Sequence, residues 1–175
     1  GDDVSLEPLK QILIERTEGN PFYLEECVRT LVETESFTGE RGDYRLAKAM
    51  PAIEIPAAVE TLLAARIDRL PPDDKRLLQS AAVIGKDVPF ALLLRIAEVP
   101  EDELRRSLAH IQSAEFLYET RLYPDLEYTF KHALTREVAY AELLRERRKQ
   151  LHGSVARALE TLYADNPAPH ASALA

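Results

Sequence analysis

Two adjacent acidic pairs, Glu25-Glu26 and Asp73-Asp74, are the first residues whose types suggest acid–base chemistry. A general acid and a general base must reach one substrate together, and adjacent positions on one helix point apart. Asp73-Asp74 follows Pro71-Pro72, which reads as a helix start, where carboxylates complement the helix dipole. Both pairs are therefore expected to be structural. His110, His132, His152 and His170 are widely spaced, and none lies three or four residues from another, so no local metal site is expected. Cys27 is the single cysteine, which rules out a disulfide framework and a Cys-rich zinc site and suggests a reducing compartment. The sequence contains no Gly-x-x-x-x-Gly-Lys-Ser/Thr phosphate loop, no Gly-x-Ser-x-Gly elbow and no His-Glu-x-x-His zinc helix.

Three further places could touch a ligand. Gly19-Asn20-Pro21 joins two helical stretches; its proline ring could pack on a flat ligand, or the segment could be a plain helix–helix turn. His132 falls where a strand pattern gives way to a helical one. Its imidazole could donate to an anion at that helix start, or it could be a helix-end histidine satisfied by backbone. Arg145, Arg147, Arg148 and Lys149 surround Glu146 and give a local charge of +3; they suit phosphate, an acidic partner or plain solvent.

The elements that must position these residues are mostly helical. Leu6, Leu9, Ile12 and Leu13 recur at helical spacing over Leu6–Arg16, with Ser5 as a cap. A second helix is expected over Pro21–Thr34, with Phe22, Leu24, Val28, Leu31 and Val32 apolar. Phe37–Leu46, with Thr38–Asp43 as its turn, reads as a small hairpin. Pro51–Pro56 reads as a linker. Val59, Leu62, Leu63, Ile67 and Leu70 then fall on one helical face. The next helix is expected to be capped within Pro71–Asp74 and ended by Gly85. Helices from Pro89 to Ala97 and from Pro100 through Ile111 follow. Period two then appears: Leu126, Tyr128 and Phe130 alternate with polar residues, and Phe116–Thr120 is strand-like, so a hairpin is expected. Helices resume near His132 and over Leu144–Tyr163, the latter with Leu144, Leu151, Val155, Leu159 and Leu162 as an apolar stripe. Three helices followed by a two-stranded wing is the winged-helix order.

Composition bounds the function. Of 175 residues, 46% are apolar, enough for a real core, while six glycines and 7% aromatics argue against a β-sandwich or barrel. The net charge of −8 makes nucleic acid a poor default partner. The expected recognition helix of the winged helix starts with Glu101, Asp102 and Glu103, which would face phosphates with like charge. No apolar run is long enough for a membrane span, and no basic-then-apolar leader opens the chain. A cytoplasmic location is expected.

Several blocks together resemble a known group. Glu15-Arg16-Thr17-Glu18-Gly19-Asn20-Pro21-Phe22-Tyr23-Leu24-Glu25-Glu26 resembles the lid of STAND-type ATPases, signal-transduction relatives of AAA+ proteins. Leu63–Pro71 and Ala81-Ala82-Val83-Ile84-Gly85 look like the next blocks of that group. Tyr128–Leu134 with Glu137 and Tyr140 resembles the end of its winged helix. The subgroup most similar is that of bacterial multidomain proteins with an adenylate/guanylate cyclase domain, this ATPase module and TPR repeats. The resemblance implies a mainly α chain: residues 1–55 as the C-terminal part of the helical lid with a small hairpin, 56–165 as the winged-helix domain and following helices, and 166–175 as a flexible tail. It implies a non-catalytic regulatory segment that couples the ATP or ADP state of an upstream P-loop domain to an effector such as a nucleotide cyclase or TPR-like repeats. In the family the lid turn approaches the adenine and a winged-helix histidine senses the phosphates. That implies nucleotide contact for Gly19, Pro21 and His132, with no metal ligand and no cofactor held by this segment alone. His132 lacks the Met-His-Asp context of the related apoptotic and immune ATPases. The alternative is a DNA-binding winged helix from a transcriptional regulator. An independent enzyme has no supporting constellation.

Overall fold

The computed structural model describes residues 6–17, 19–38, 45–47, 58–121 and 125–162. The linker expected at 51–56, residues 39–43 of the turn expected at 38–43, the tail at 166–175, Ser5 and His170 lie outside them, while Thr38 is a strand residue. The chain divides into two compact units, one ending at Arg66 and the other beginning at Ile67.

In the first unit, α1 spans Glu7–Thr17 and α2 spans Pro21–Glu33. β1 (Phe37–Thr38) pairs antiparallel with β2 (Arg45–Leu46), which forms the strands of the expected hairpin. α3 begins at Val59 and runs to Asp68. Leu6, Leu9, Leu13, Tyr23, Cys27, Leu31 and Leu62 form the core of this unit. Ile12 was expected to face inward but is 38% exposed. Leu9 and Leu13, one turn apart, already occupy the inward face. On α2 the buried face is Tyr23, Glu26, Cys27 and Leu31, whereas Val32 faces solvent.

In the second unit, α4 spans Pro72–Ile84, β3 Asp87–Pro89, α5 Phe90–Ala97 and α6 Glu101–Ser113. β4 (Leu117–Arg121) and β5 (Glu127–Phe130) follow, then α7 (Ala133–Ala141) and α8 (Arg145–Leu162). α4 packs against α5, α6, α7 and α8, and its Leu78, Ala81 and Ala82 are at most 1% exposed. Small alanines at two of these positions let neighbouring backbones approach. The N-cap of α4 is Pro71, which makes no side-chain cap bond. Asp73 and Asp74 sit in the first turn, where they favour the helix through its dipole, as expected for a helix start. Gly85 ends α4 at φ +148, a backbone angle that suits glycine.

The three strands form one antiparallel sheet in the order β3-β5-β4. The central position of β5 overturns the simple alternation expected for it. Tyr128, Thr129 and Phe130 are all buried, and the Thr129 hydroxyl donates to the Lys86 carbonyl at 3.0 Å and to Asp87 Oδ1 at 2.6 Å. On α8, Leu151, Val155 and Leu159 are buried as the stripe requires. Leu144 is not part of that stripe: it precedes the helix and is 79% exposed. Among the described residues, no helix is long and apolar enough to cross a membrane.

Candidate functional site

Gly19 and Pro21 belong to the first unit. Gly19 has φ +74, a left-handed backbone that glycine adopts without a Cβ penalty, and nothing lies within 4 Å of where a Cβ would be. The amide of Asn20 donates to the Thr17 carbonyl at 2.8 Å and closes the turn. Asn20 then caps α2: its Oδ1 accepts from the N–H groups of Phe22 (3.0 Å) and Tyr23 (3.2 Å). Pro21 occupies the first turn of α2 and is exposed. Two of the first amides of α2 are thus already occupied. What the turn offers outward is the face of a fixed ring.

His132 belongs to the second unit and occupies the N-cap of α7, with extended backbone (φ −136, ψ 138). Its carbonyl accepts from the Thr135 N–H at 3.1 Å, its side chain makes no cap bond, and it is half-buried. The strand-to-helix junction expected from the sequence is where the residue stands.

Each acidic pair separates into one exposed and one buried carboxylate. Glu25 pairs with Arg29 at 3.0 Å on the surface, while the Glu26 side chain is 3% exposed and pairs with Arg66. Asp73 pairs with Arg76 in solvent, while Asp74 is buried and lies 3.2 Å from His110 Nδ1. Arg29 lies between Glu25 and Glu26, 3.0 Å from the first and 3.6 Å from the second, so what that pair shares is a cation of its own helix.

Two arrangements carry no local sequence signal. Arg66 donates through Nη1 to Glu26 and through Nε and Nη2 to Glu33, at 2.9–3.3 Å for the latter, so one guanidinium holds two carboxylates from α2. Asp74 and His110 stand on the wall of a cleft of about 640 Å³ between α4 and α6. Its floor includes Leu77, Ile96 and Leu104, and Arg76, Arg106 and Arg147 also line it.

On α6, Leu104, Leu108 and Ile111 face inward. The outward arginines are engaged: Arg105 donates to Glu101 Oε1 at 2.7–2.9 Å and lies 4.6 Å above the Phe90 ring, while Arg106 pairs with Asp102 at 3.6 Å. Among the described residues, no group of three or more His, Cys, Asp or Glu side chains is placed to hold a metal ion. No family model matches the chain, and no curated protein matches it.

Proposed function

We propose that this chain is a regulatory segment of a signal-transduction ATPase, a helical lid followed by a winged helix, without a catalytic site of its own. The element order of the second unit supports the winged-helix reading: helix, short strand, two helices, then a hairpin whose inner strand pairs with that short strand. In this reading α6 is the helix that a DNA-binding relative would place in the major groove.

The observation that carries the regulatory reading is the state of α6. Its Arg105 and Arg106 are neutralised by Glu101 and Asp102 one turn earlier. A helix meant for phosphates and base edges needs its cations free. Nucleotide contact is assigned to Gly19, Pro21 and His132 of a longer parent chain, in which a P-loop domain supplies the phosphate cradle and the metal site. The exposed ring of Pro21 suits the flat face of adenine, and His132 suits a phosphate oxygen. Downstream TPR-like repeats or a cyclase domain are the proposed effectors, in the cytoplasm.

The second reading, a DNA-binding winged helix, is favoured by the same element order. Fluorescence anisotropy with duplex DNA at physiological salt separates the two. The regulatory reading expects only weak, salt-sensitive, sequence-independent binding. Sequence-specific binding near 10⁻⁸ M, on the order of true operators, would put the DNA reader first.

A further inference from the structure

The start of α8 holds positive charge that the fold does not use. Arg145, Arg147, Arg148 and Lys149 stand in its first turns, the end where a helix dipole disfavours cations. Arg148 is accounted for: Nη2 donates to the carbonyls of Tyr140 and Leu143, both at 3.3 Å, and the guanidinium lies 4.4 Å above the Tyr140 ring. Arg145, Arg147 and Lys149 are exposed and make no ion pair among the described residues. Arg76, Arg105, Arg106, Arg121 and Lys131 each have a carboxylate partner. Lys86, Arg95 and Arg157 are exposed without one among the described residues but stand singly, so what sets the start of α8 apart is the clustering.

Two features sit beside these cations. Leu144, immediately before the helix, is 79% exposed, so its apolar surface is open to a partner. An open hollow of about 620 Å³ is lined by Arg145, Arg148, Lys149 and His152 together with Glu146. Its wall is held in place, because the Tyr140 hydroxyl and His152 Nε2 are 2.9 Å apart in a hydrogen bond.

We propose that the start of α8 is a docking surface for a short acidic protein segment, with carboxylates on Arg145 and Lys149 and an apolar side chain against Leu144. Charge complementarity selects this occupant. The chain as a whole carries −8. A long polyanion such as nucleic acid, or an anionic membrane, would meet that repulsive field as well as the patch. A short segment meets the patch alone. The surface stands independently of the nucleotide-contact residues proposed above.

The test is fluorescence anisotropy on the whole chain, with a labelled short peptide alternating Glu and Leu as the probe. Saturable binding that weakens with added salt is expected. Joint Arg145→Glu and Lys149→Glu should weaken it about tenfold or more, and Leu144→Ser should weaken it as well. Arg157→Glu, further along the same helix, should leave it unchanged, and a peptide with Gln for Glu should not bind. The joint reversal should not lower the melting temperature, since it places acids at the positive end of α8; the milder Arg145→Gln with Lys149→Gln provides the same comparison without charge reversal. Absence of peptide binding, indifference to the joint reversal, or equally tight binding of a single-stranded oligonucleotide or of phosphatidylserine vesicles through the same residues would overturn the proposal.

Discussion

Arg66 and Glu26 form an ion pair inside the first unit, with side chains only 2% and 3% exposed. They lie 40 residues apart in sequence and join α3 to α2. Taking two charges out of water is expensive, and the pair is retained because each partner satisfies the other. Arg66→Ala leaves the buried Glu26 with Arg29 at 3.6 Å in place of its guanidinium, takes the same partner from Glu33, and should destabilise the unit by about 3–5 kcal/mol. The double replacement Arg66→Met with Glu26→Leu should recover part of that loss, since it removes the two buried charges together and leaves only the less buried Glu33 and Arg29 without them. Urea unfolding of the two variants checks this, and equal losses in both would show that the shape of the site matters rather than its charge.

Cys27 gives the fold an alkaline limit. Burial, and secondarily the neighbouring Glu26 carboxylate, push its thiol up from 9.0 to about 11. The folded-state value is raised, so the associated stability is complete below pH 9, where neither state ionises. It is lost as pH rises from 9 towards 11, because the unfolded thiol releases its proton and the folded one holds it. The full loss is on the order of 2–3 kcal/mol. Cys27→Ala should therefore show a shallower decline of stability over that range than the parent. Identical slopes would contradict the assignment. The native thiol should also react slowly with a disulfide reagent at neutral pH.

Glu98 ends α5 in the left-handed conformation, at φ 55 and ψ 34. A non-glycine residue there costs roughly 1–2 kcal/mol, and glycine returns part of that gain as unfolded-chain entropy. The side chain is exposed, so little packing is at stake. Glu98→Gly should stabilise the second unit by about 0.5–1 kcal/mol, read as a rise in melting temperature. A fall would show that Glu98 makes a contact worth more than the strain.

What the sequence revealed and concealed follows from the range of the interactions. α5 and α6 were legible because Pro89 and Pro100 mark their starts and Leu104, Leu108 and Ile111 recur at helical spacing. β3 was not, since three residues ending in Pro89 show no period of their own; the strand exists because β5 offers it a second edge. That same partner buries Thr129, which alternation had placed in solvent. Leu144 matches the spacing of Leu151 and so fits the core stripe in the sequence, yet the helix begins one residue later and leaves it outside. The turn at Gly19 and Pro21 was legible through backbone chemistry, whereas its Asn20 cap depends on side-chain geometry. Arg66 with Glu26, and Asp74 with His110 across 36 residues, are long-range pairs that no local pattern announces.

The central proposal, that this segment reports nucleotide state, is tested most directly by calorimetric titration of ADP and ATP into the proposed parent chain with the P-loop domain assigned to it, alongside basal effector output. Pro21→Ala should weaken both nucleotides alike, because adenine is common to them. His132→Ala should act mainly on the closed, resting state. Losing one hydrogen bond to a charged group costs roughly 1.5–3 kcal/mol, or about 10- to 150-fold in the closed-to-open balance, so basal output should rise without its usual signal. Unchanged ADP affinity together with unchanged basal output in His132→Ala would contradict the account and leave His132 as the N-cap residue of α7 alone.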